Sequence, residues 1–118
     1  MEFSTYVVAL LLAMPDAPPM SPEQEAQLQD AHMAHLAHLH DSGELLVAGP
    51  VLGPPDRQVR GLSVFGCSEQ RARELGDGDP AIQAGLYRHE YHIWAVPHGV
   101  ISFGYGHLPR SMDEVRAP

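Results

Sequence analysis

The amino-acid sequence predicts an α+β domain with an antiparallel sheet and two main helices. Apolar runs with the character of strands lie near both ends of the chain, and residues 22–41 carry the signals of a long helix. Two further apolar stretches are separated by the turn Gly53-Pro54-Pro55-Asp56. At 118 residues the chain is expected to form one modest core, so a homodimer that buries more apolar surface is expected.

The first strand and the first helix follow from local signals. Residues 3–12 are β-branched, aromatic and aliphatic without helical spacing, which predicts a mostly buried strand. Ser21 can then cap a helix, Pro22 suits its first position, and Gln24 completes a capping box. The helix is therefore predicted to run to about Asp41.

The remaining elements complete a recognised arrangement. They are strands over residues 45–48, 59–67 and 86–96, a helix from Ser68 to about Leu75, a break at residues 76–80, and a short turn or helical hook at residues 81–85. The order β-α-β-β-α-β is that of ferredoxin-like domains. Two helices should cover one face of the sheet, and a second subunit could cover the other. Residues 100–103 could add an edge strand or a dimer arm.

The amino-acid composition argues against nucleic acid and membrane as partners. The formal net charge of −8 opposes binding to a phosphate backbone, so no nucleic acid is expected. The apolar run of residues 6–14 follows Glu2 rather than a positive charge and is shorter than the roughly 20 residues that span a bilayer. A lone Cys67, interpreted as a core residue, favours a reducing compartment. The sequence therefore predicts a cytoplasmic protein without a membrane partner.

Four histidines lie in the predicted helix. His32 falls on the apolar stripe, whereas His38 and His40 fall towards the polar face and are predicted to be surface residues. His32 and His35 could share a metal ion, but a third ligand from the same helix would be strained, and no HExxH or paired-cysteine motif is present. No native metal and no other cofactor are expected.

Two other positions bear on the chemistry. Asp79-Pro80 is typical of a turn or a helix cap, but a loop that folds back could let the carboxylate orient a histidine of the first helix. A carboxylate that accepts from one ring nitrogen fixes the tautomer and makes the other nitrogen a competent general base. His89 and His92 lie on opposite faces of a strand, so they are not expected to bind one ion.

Five segments of the chain form a characteristic set in order and spacing: Tyr6 to Leu11, Ala31 to Leu36, Ser42 to Pro50, Asp79 to Ala81 with Ala84-Gly85, and Glu90 to Trp94. In these segments the chain resembles the YCII-related domain family over about residues 4–98. The resemblance implies a domain over residues 1–98 that forms a dimeric α+β barrel, with a pocket between helices, sheet and partner. Residues 99–118 are then a C-terminal extension, and Ile93 stands where relatives often have proline.

The resemblance also implies site residues. It places a catalytic pair on His32 and Asp79, and substrate-binding residues on His35, His92 and Trp94. One family member is a dehydrochlorinase, although a shared fold does not transfer a substrate. The leading hypothesis is a cofactor-independent lyase or isomerase acting on a small oxygenated molecule. The alternative is a non-catalytic dimeric module that binds a small ligand.

Overall fold

The predicted α+β fold and element order are confirmed. We describe all 118 residues from a computed structural model. The elements in chain order are β1 Phe3–Ala13, α1 Pro22–Asp41, β2 Leu45–Pro50, β3 Val59–Phe65, α2 Glu69–Asp77, α3 Pro80–Gln83, β4 Tyr87–Pro97 and α4 Met112–Arg116. None of the helices is both long enough and apolar enough to cross a membrane.

The four strands form one antiparallel sheet in the order β2-β3-β1-β4. β1 pairs with β4 along its whole length, from Phe3 opposite Pro97 to Ala13 opposite Tyr87. The pairing of β1 with β3 shifts by one residue: Leu11 lies opposite Gly61 and Leu12 opposite Val59, so Arg60 between them has no partner on β1. Such a β-bulge bends a strand and changes the direction of a side chain.

The helices pack against one face of the sheet and not against the other. Alternate residues of a strand point to opposite faces, and Val7 and Ala9 of β1 are buried against the helices. We call this side the helix-covered face; its core cluster consists of Val7, Ala9, Leu39, Leu45, Phe65 and Ala72. We call the other side the open face; it carries Tyr6, Val8, Leu10, Val47, His92 and Trp94.

The helix α1 has the predicted bounds and the predicted cap. The Ser21 hydroxyl accepts from the Gln24 backbone N–H at 3.1 Å, and the Gln24 side chain accepts from the Ser21 N–H at 3.0 Å. After the helix, Gly43 takes a positive φ of 86°, which a residue without a Cβ adopts readily. The chain can therefore turn sharply from α1 into β2.

The C-terminal extension does not form the edge strand that we considered for residues 100–103. After β4 the chain turns at Gly99, whose φ is +85°. Phe103 then packs edge-on against Tyr6, with ring centroids 5.6 Å apart. Further on, Leu108 packs against the core cluster, and the backbone N–H of Met112 donates to an Asp30 carboxylate oxygen at 2.9 Å. The extension thus folds back onto α1.

Candidate functional site

The structure brings His32 and Asp79 together. His32 lies on α1 and is 9% exposed, and Asp79 immediately precedes α3 and is completely buried. His32 Nδ1 donates to Asp79 Oδ2 at 2.5 Å. The other carboxylate oxygen, Oδ1, accepts from the backbone N–H of Ala81 at 2.9 Å and so caps α3. Both oxygens of Asp79 are therefore held.

This pairing determines which nitrogen of His32 is available. Because Nδ1 carries the proton that is donated to Asp79, the neutral ring presents a lone pair on Nε2. No buried side-chain nitrogen or oxygen lacks a hydrogen-bond partner, and Nε2 has no protein partner. His32 lines a cavity, and we conclude that Nε2 is open to it.

The cavity beside His32 has a volume of about 450 Å³. It lies between α1, the helix-covered face and the C-terminal extension. The polar side chains that line it besides His32 are Gln29, Arg57, Arg60, Ser63, Tyr87 and His89. The larger apolar ones include Leu11, Met33, Leu36, Leu108, Met112 and Val115. Mostly apolar walls with a few polar groups are typical of sites for small organic molecules.

Two hydroxyl groups in the cavity are available to a ligand. Ser63 lies on the helix-covered face opposite Ala9, and Tyr87 begins β4. The Tyr87 ring lies beside that of His32, with centroids 6.4 Å apart. Neither hydroxyl makes a hydrogen bond within the chain, so both can hydrogen-bond to an oxygenated ligand.

His89 is a cavity residue that the sequence reasoning did not select. Its side chain is only 4% exposed, and its Nδ1 lies 3.3 Å from Asp77 Oδ1 and 3.1 Å from the Tyr91 hydroxyl. Burial lowers the pKa of His89, although Asp77 opposes this effect. The Tyr91 hydroxyl donates to Asp77 Oδ1 at 2.7 Å, and burial raises its pKa well above the usual range. His89 is therefore held as a neutral imidazole near pH 7.

The three residues expected to bind substrate lie outside the cavity. His35 Nε2 donates to the carbonyl oxygen of Leu75 at 2.9 Å and so links α1 to α2. Alternate residues of β4 point to opposite faces of the sheet, and His89 faces the cavity. His92 and Trp94 therefore lie on the open face. A role of these three in binding stays a prediction, and for the β4 pair it would involve the open face.

His40 is half-buried rather than a freely solvated surface residue as predicted. Its two ring nitrogens face the carbonyl oxygens of Leu45, at 2.9 Å, and Gly106, at 3.1 Å. The sequence pattern did not indicate this, because Gly106 belongs to the extension and reaches α1 only in the folded chain. His38, by contrast, is exposed as predicted.

No group of three His, Cys, Asp or Glu side chains is arranged to hold a metal ion. The only cysteine, Cys67, is partly buried beside the core cluster, and burial raises the pKa of its thiol. A second depression of about 440 Å³ lies near Pro18 and Pro19 and contains no titratable side chain.

Known proteins resemble this chain in sequence. The model of the YCII-related domain matches residues 6–96. "Protein YciI" of Escherichia coli O6:H1 is 36% identical over 74 residues, which cover 57% of this chain and 76% of that protein. The same figures hold for "Protein YciI" of Shigella flexneri.

A solved structure shares the fold. It is 5-chloro-2-hydroxyhydroquinone dehydrochlorinase from Burkholderia phenoliruptrix AC1100, in complex with 2,5-dihydroxybenzoquinone. The TM-score is 0.51 at 20% sequence identity, and the match covers 80% of this chain and 95% of the other. Since the family model spans most of the sequence and the fold agrees, the chain belongs to the YCII-related domain family.

Proposed function

We propose that the protein is a small enzyme in which His32 acts as general base or acid and Asp79 orients it. The reaction is the elimination or isomerisation of a small oxygenated organic molecule. The observation that carries this proposal is the buried His32–Asp79 pair, at 2.5 Å, whose second imidazole nitrogen opens on a cavity of about 450 Å³. Asp79 is a positioning residue, because His32 stands between it and the cavity.

These contacts define the path of the proton. Nε2 of His32 accepts a proton from the substrate, and the imidazolium that forms is stabilised by the carboxylate of Asp79. In an elimination, the electron pair of the broken bond to hydrogen forms a double bond, and the leaving group departs as an anion. In an isomerisation, Nε2 returns the proton to another atom. Such a group contributes roughly 10²- to 10⁴-fold to a rate.

The solved relative supports the reaction class. Its name describes a dehydrochlorination, which is an elimination, and its ligand is a small hydroxylated ring. The cavity of the present chain has a volume suited to a ligand of that size. The hydroxyls of Ser63 and Tyr87 would bind oxygen atoms of the substrate.

A second function is supported by the other contact of Asp79. Its Oδ1 caps α3, so the pair with His32 would stabilise the fold even without chemistry. In that case the protein is a non-catalytic module that binds a small ligand. For either function we propose a homodimer formed through the open face, where Val47 and Trp94 are 42% and 45% exposed. A cytoplasmic location and the lack of a cofactor stay predictions.

The decisive experiment compares turnover with binding. A panel of hydroxylated and chlorinated hydroquinones and enolisable ketones is incubated with the wild type, His32→Asn and His38→Asn, and loss of substrate is followed by absorbance. We expect His32→Asn to lower kcat by at least about 100-fold while ligand affinity stays within a few-fold. His38→Asn changes an exposed histidine of the same helix and should leave both unchanged. Ligands that bind the wild type without turnover would favour the binding module.

A further inference from the structure

The cavity contains an excess of positive charge in a protein that is strongly acidic. The chain has a formal net charge of −8, and it contains seven arginines and no lysine. Three of the seven pair with carboxylates: Arg71 with Glu44, Arg73 with Glu69, and Arg110 with Asp41. Two of the other four, Arg57 and Arg60, line the cavity beside His32, and no carboxylate lines it.

The two guanidinium groups are held in place by the loop between β2 and β3. Arg57 donates from Nε to the Val51 carbonyl at 2.6 Å and from Nη1 to the Pro54 carbonyl at 3.0 Å. Arg60 donates from Nε to the Arg57 carbonyl at 2.7 Å and from Nη2 to the Pro55 carbonyl at 2.7 Å. Each group keeps one terminal nitrogen without a protein acceptor, Nη2 of Arg57 and Nη1 of Arg60.

The sheet explains how Arg60 reaches the cavity. Strict alternation would place it on the face opposite to Gly61 and Ser63, both of which line the cavity. Arg60 is, however, the residue inserted at the bulge of β3, and a bulge changes the direction of a side chain. The irregular register thus places a second cation beside Arg57.

The position of these cations sets the size of what they can bind. Leu11 of β1 is paired with Gly61 on one side and with His89 on the other, so the three residues form one row across the sheet. Two strand spacings of about 4.8 Å separate the ends of this row by about 10 Å. A molecule with one ring and an acidic substituent could span the cavity floor from β4 to the arginine end.

We infer that the cavity binds an organic anion and that Arg57 and Arg60 hold its charged oxygen atoms, a carboxylate or an ionised enol or phenol. The two terminal nitrogens supply donors that the protein itself does not use, and a bound anion would offset the repulsion between two adjacent cations. The inference rests on the proposed function only in placing the ligand in this cavity. It names the substrate class, whereas the chemistry at His32 is a separate claim.

The test compares two probes of equal shape and different charge. Salicylate is an anion at pH 7, and salicylamide is its neutral counterpart; the dissociation constant of each is measured by titration calorimetry. We expect the wild-type protein to bind salicylate more tightly than salicylamide. The ratio of the two dissociation constants should fall by about tenfold in each single variant, Arg57→Gln and Arg60→Gln. Arg88→Gln is the matched control, since Arg88 is exposed, does not line the cavity and has no carboxylate partner.

A structural role of the two arginines would give a different result. Loss of the loop contacts alone would weaken both probes equally, so an unchanged salicylate preference in the Gln variants would overturn the inference. Equal affinity of the wild type for both probes, or no salicylate binding at millimolar concentration, would also overturn it. Arg57→Lys and Arg60→Lys should keep more of the preference than the Gln variants, because the charge remains although the guanidinium donors are lost. These outcomes are independent of turnover in His32→Asn, so either claim can fail alone.

Discussion

The two faces of the sheet give the histidines of β4 different surroundings. His89, on the helix-covered face, has a side chain that is 4% exposed, contacts Asp77 and Tyr91, and lines the cavity. His92, three residues later on the open face, has a side chain that is 55% exposed and pairs with Glu90 of the same strand. The same residue type is thus a neutral cavity group on one face and a solvated side chain on the other.

This comparison shows that the covering layer, rather than the histidine itself, determines the chemistry. The helix-covered face excludes water, so polar groups there must find partners or a ligand. The open face presents apolar side chains between polar ones, an arrangement suited to a second subunit. Substitutions on one face should therefore leave the properties of the other face largely unchanged.

Asp79→Ala tests the helix-covered face most strongly. The variant removes the cap of α3 and the partner of His32 in one step. We expect the free energy of unfolding to fall by about 3 kcal/mol, measured by urea denaturation. Asp56→Ala is the control, since Asp56 is exposed in the turn between β2 and β3. A change below about 1 kcal/mol would contradict the observed contacts.

Gly76→Ala tests how closely α2 packs on β4. A Cβ at Gly76 would overlap with the Tyr91 hydroxyl and come within 3.3 Å of His89 Nδ1. We expect a loss of about 2 kcal/mol in thermal or chemical unfolding, because the side chains must shift. At Gly78 the nearest atom to a Cβ is 3.4 Å away, so Gly78→Ala should have little effect. Similar stabilities for the two variants would show that the helix does not pack as described.

His40→Ala tests the attachment of the C-terminal extension to α1. The variant removes the contacts with the Leu45 and Gly106 carbonyls and should cost about 1 kcal/mol. Amide hydrogen exchange of residues 104–116 should become faster, since Leu108 and Met112 then leave the cavity wall more readily. His38→Ala serves as the control. Unchanged exchange in His40→Ala would indicate that the extension is held by its other contacts.

Val47→Arg tests the open face without disturbing the cavity. Val47 is 42% exposed in a single chain, so the free energy of unfolding per chain should change by less than about 1 kcal/mol. If the open face is the dimer interface, sedimentation should shift from dimer to monomer, because the interface would bury an unpaired charge. Leu52→Arg, at an 84% exposed leucine, should remain dimeric. A dimer that persists in Val47→Arg would place the interface elsewhere.

The pH dependence of stability tests the burial of His89. Burial lowers its pKa below the ordinary value of 6.5. As the pH falls through 6.5, His89 takes up a proton in the unfolded chain before it does so in the folded one. The contribution of neutral His89 to the free energy of unfolding is therefore complete above about pH 6.5 and is lost as the pH falls below it. We expect His89→Gln to flatten the dependence of unfolding free energy on pH between 7 and 5. His38→Gln should not; equal flattening in both would contradict the assignment.

The sequence predicted the fold because the strongest signals are local. The capping box at Ser21 and Gln24 lies within one turn of helix, so α1 was placed with its observed bounds. The β-branched run of β1 likewise matched a buried strand. α2 extends two residues beyond its predicted end at Leu75, because Gly76 continues the helix and allows it to pack closely against Tyr91.

The site was predicted only in part. The apolar stripe placed His32 on the inner face of α1, but its pairing with Asp79 rested mainly on the resemblance, because the two residues are 47 positions apart and no spacing rule connects them. The place of His89 in the cavity depends on the register of β4 against β1, and that of Arg60 depends on a bulge. Neither register nor bulge leaves a clear mark in a single sequence.

The order of the elements, the bounds of α1, the excess of acidic residues and the presence of several histidines on one helix can be read from the sequence alone. These properties depend on neighbours within a few residues or on composition alone. Folding in three dimensions was needed to bring His32 and His89 to one cavity, to leave two arginines there without a carboxylate, and to close one wall with the C-terminal extension. Those features arise from contacts between distant segments, which exist only once sheet, helices and extension are packed together.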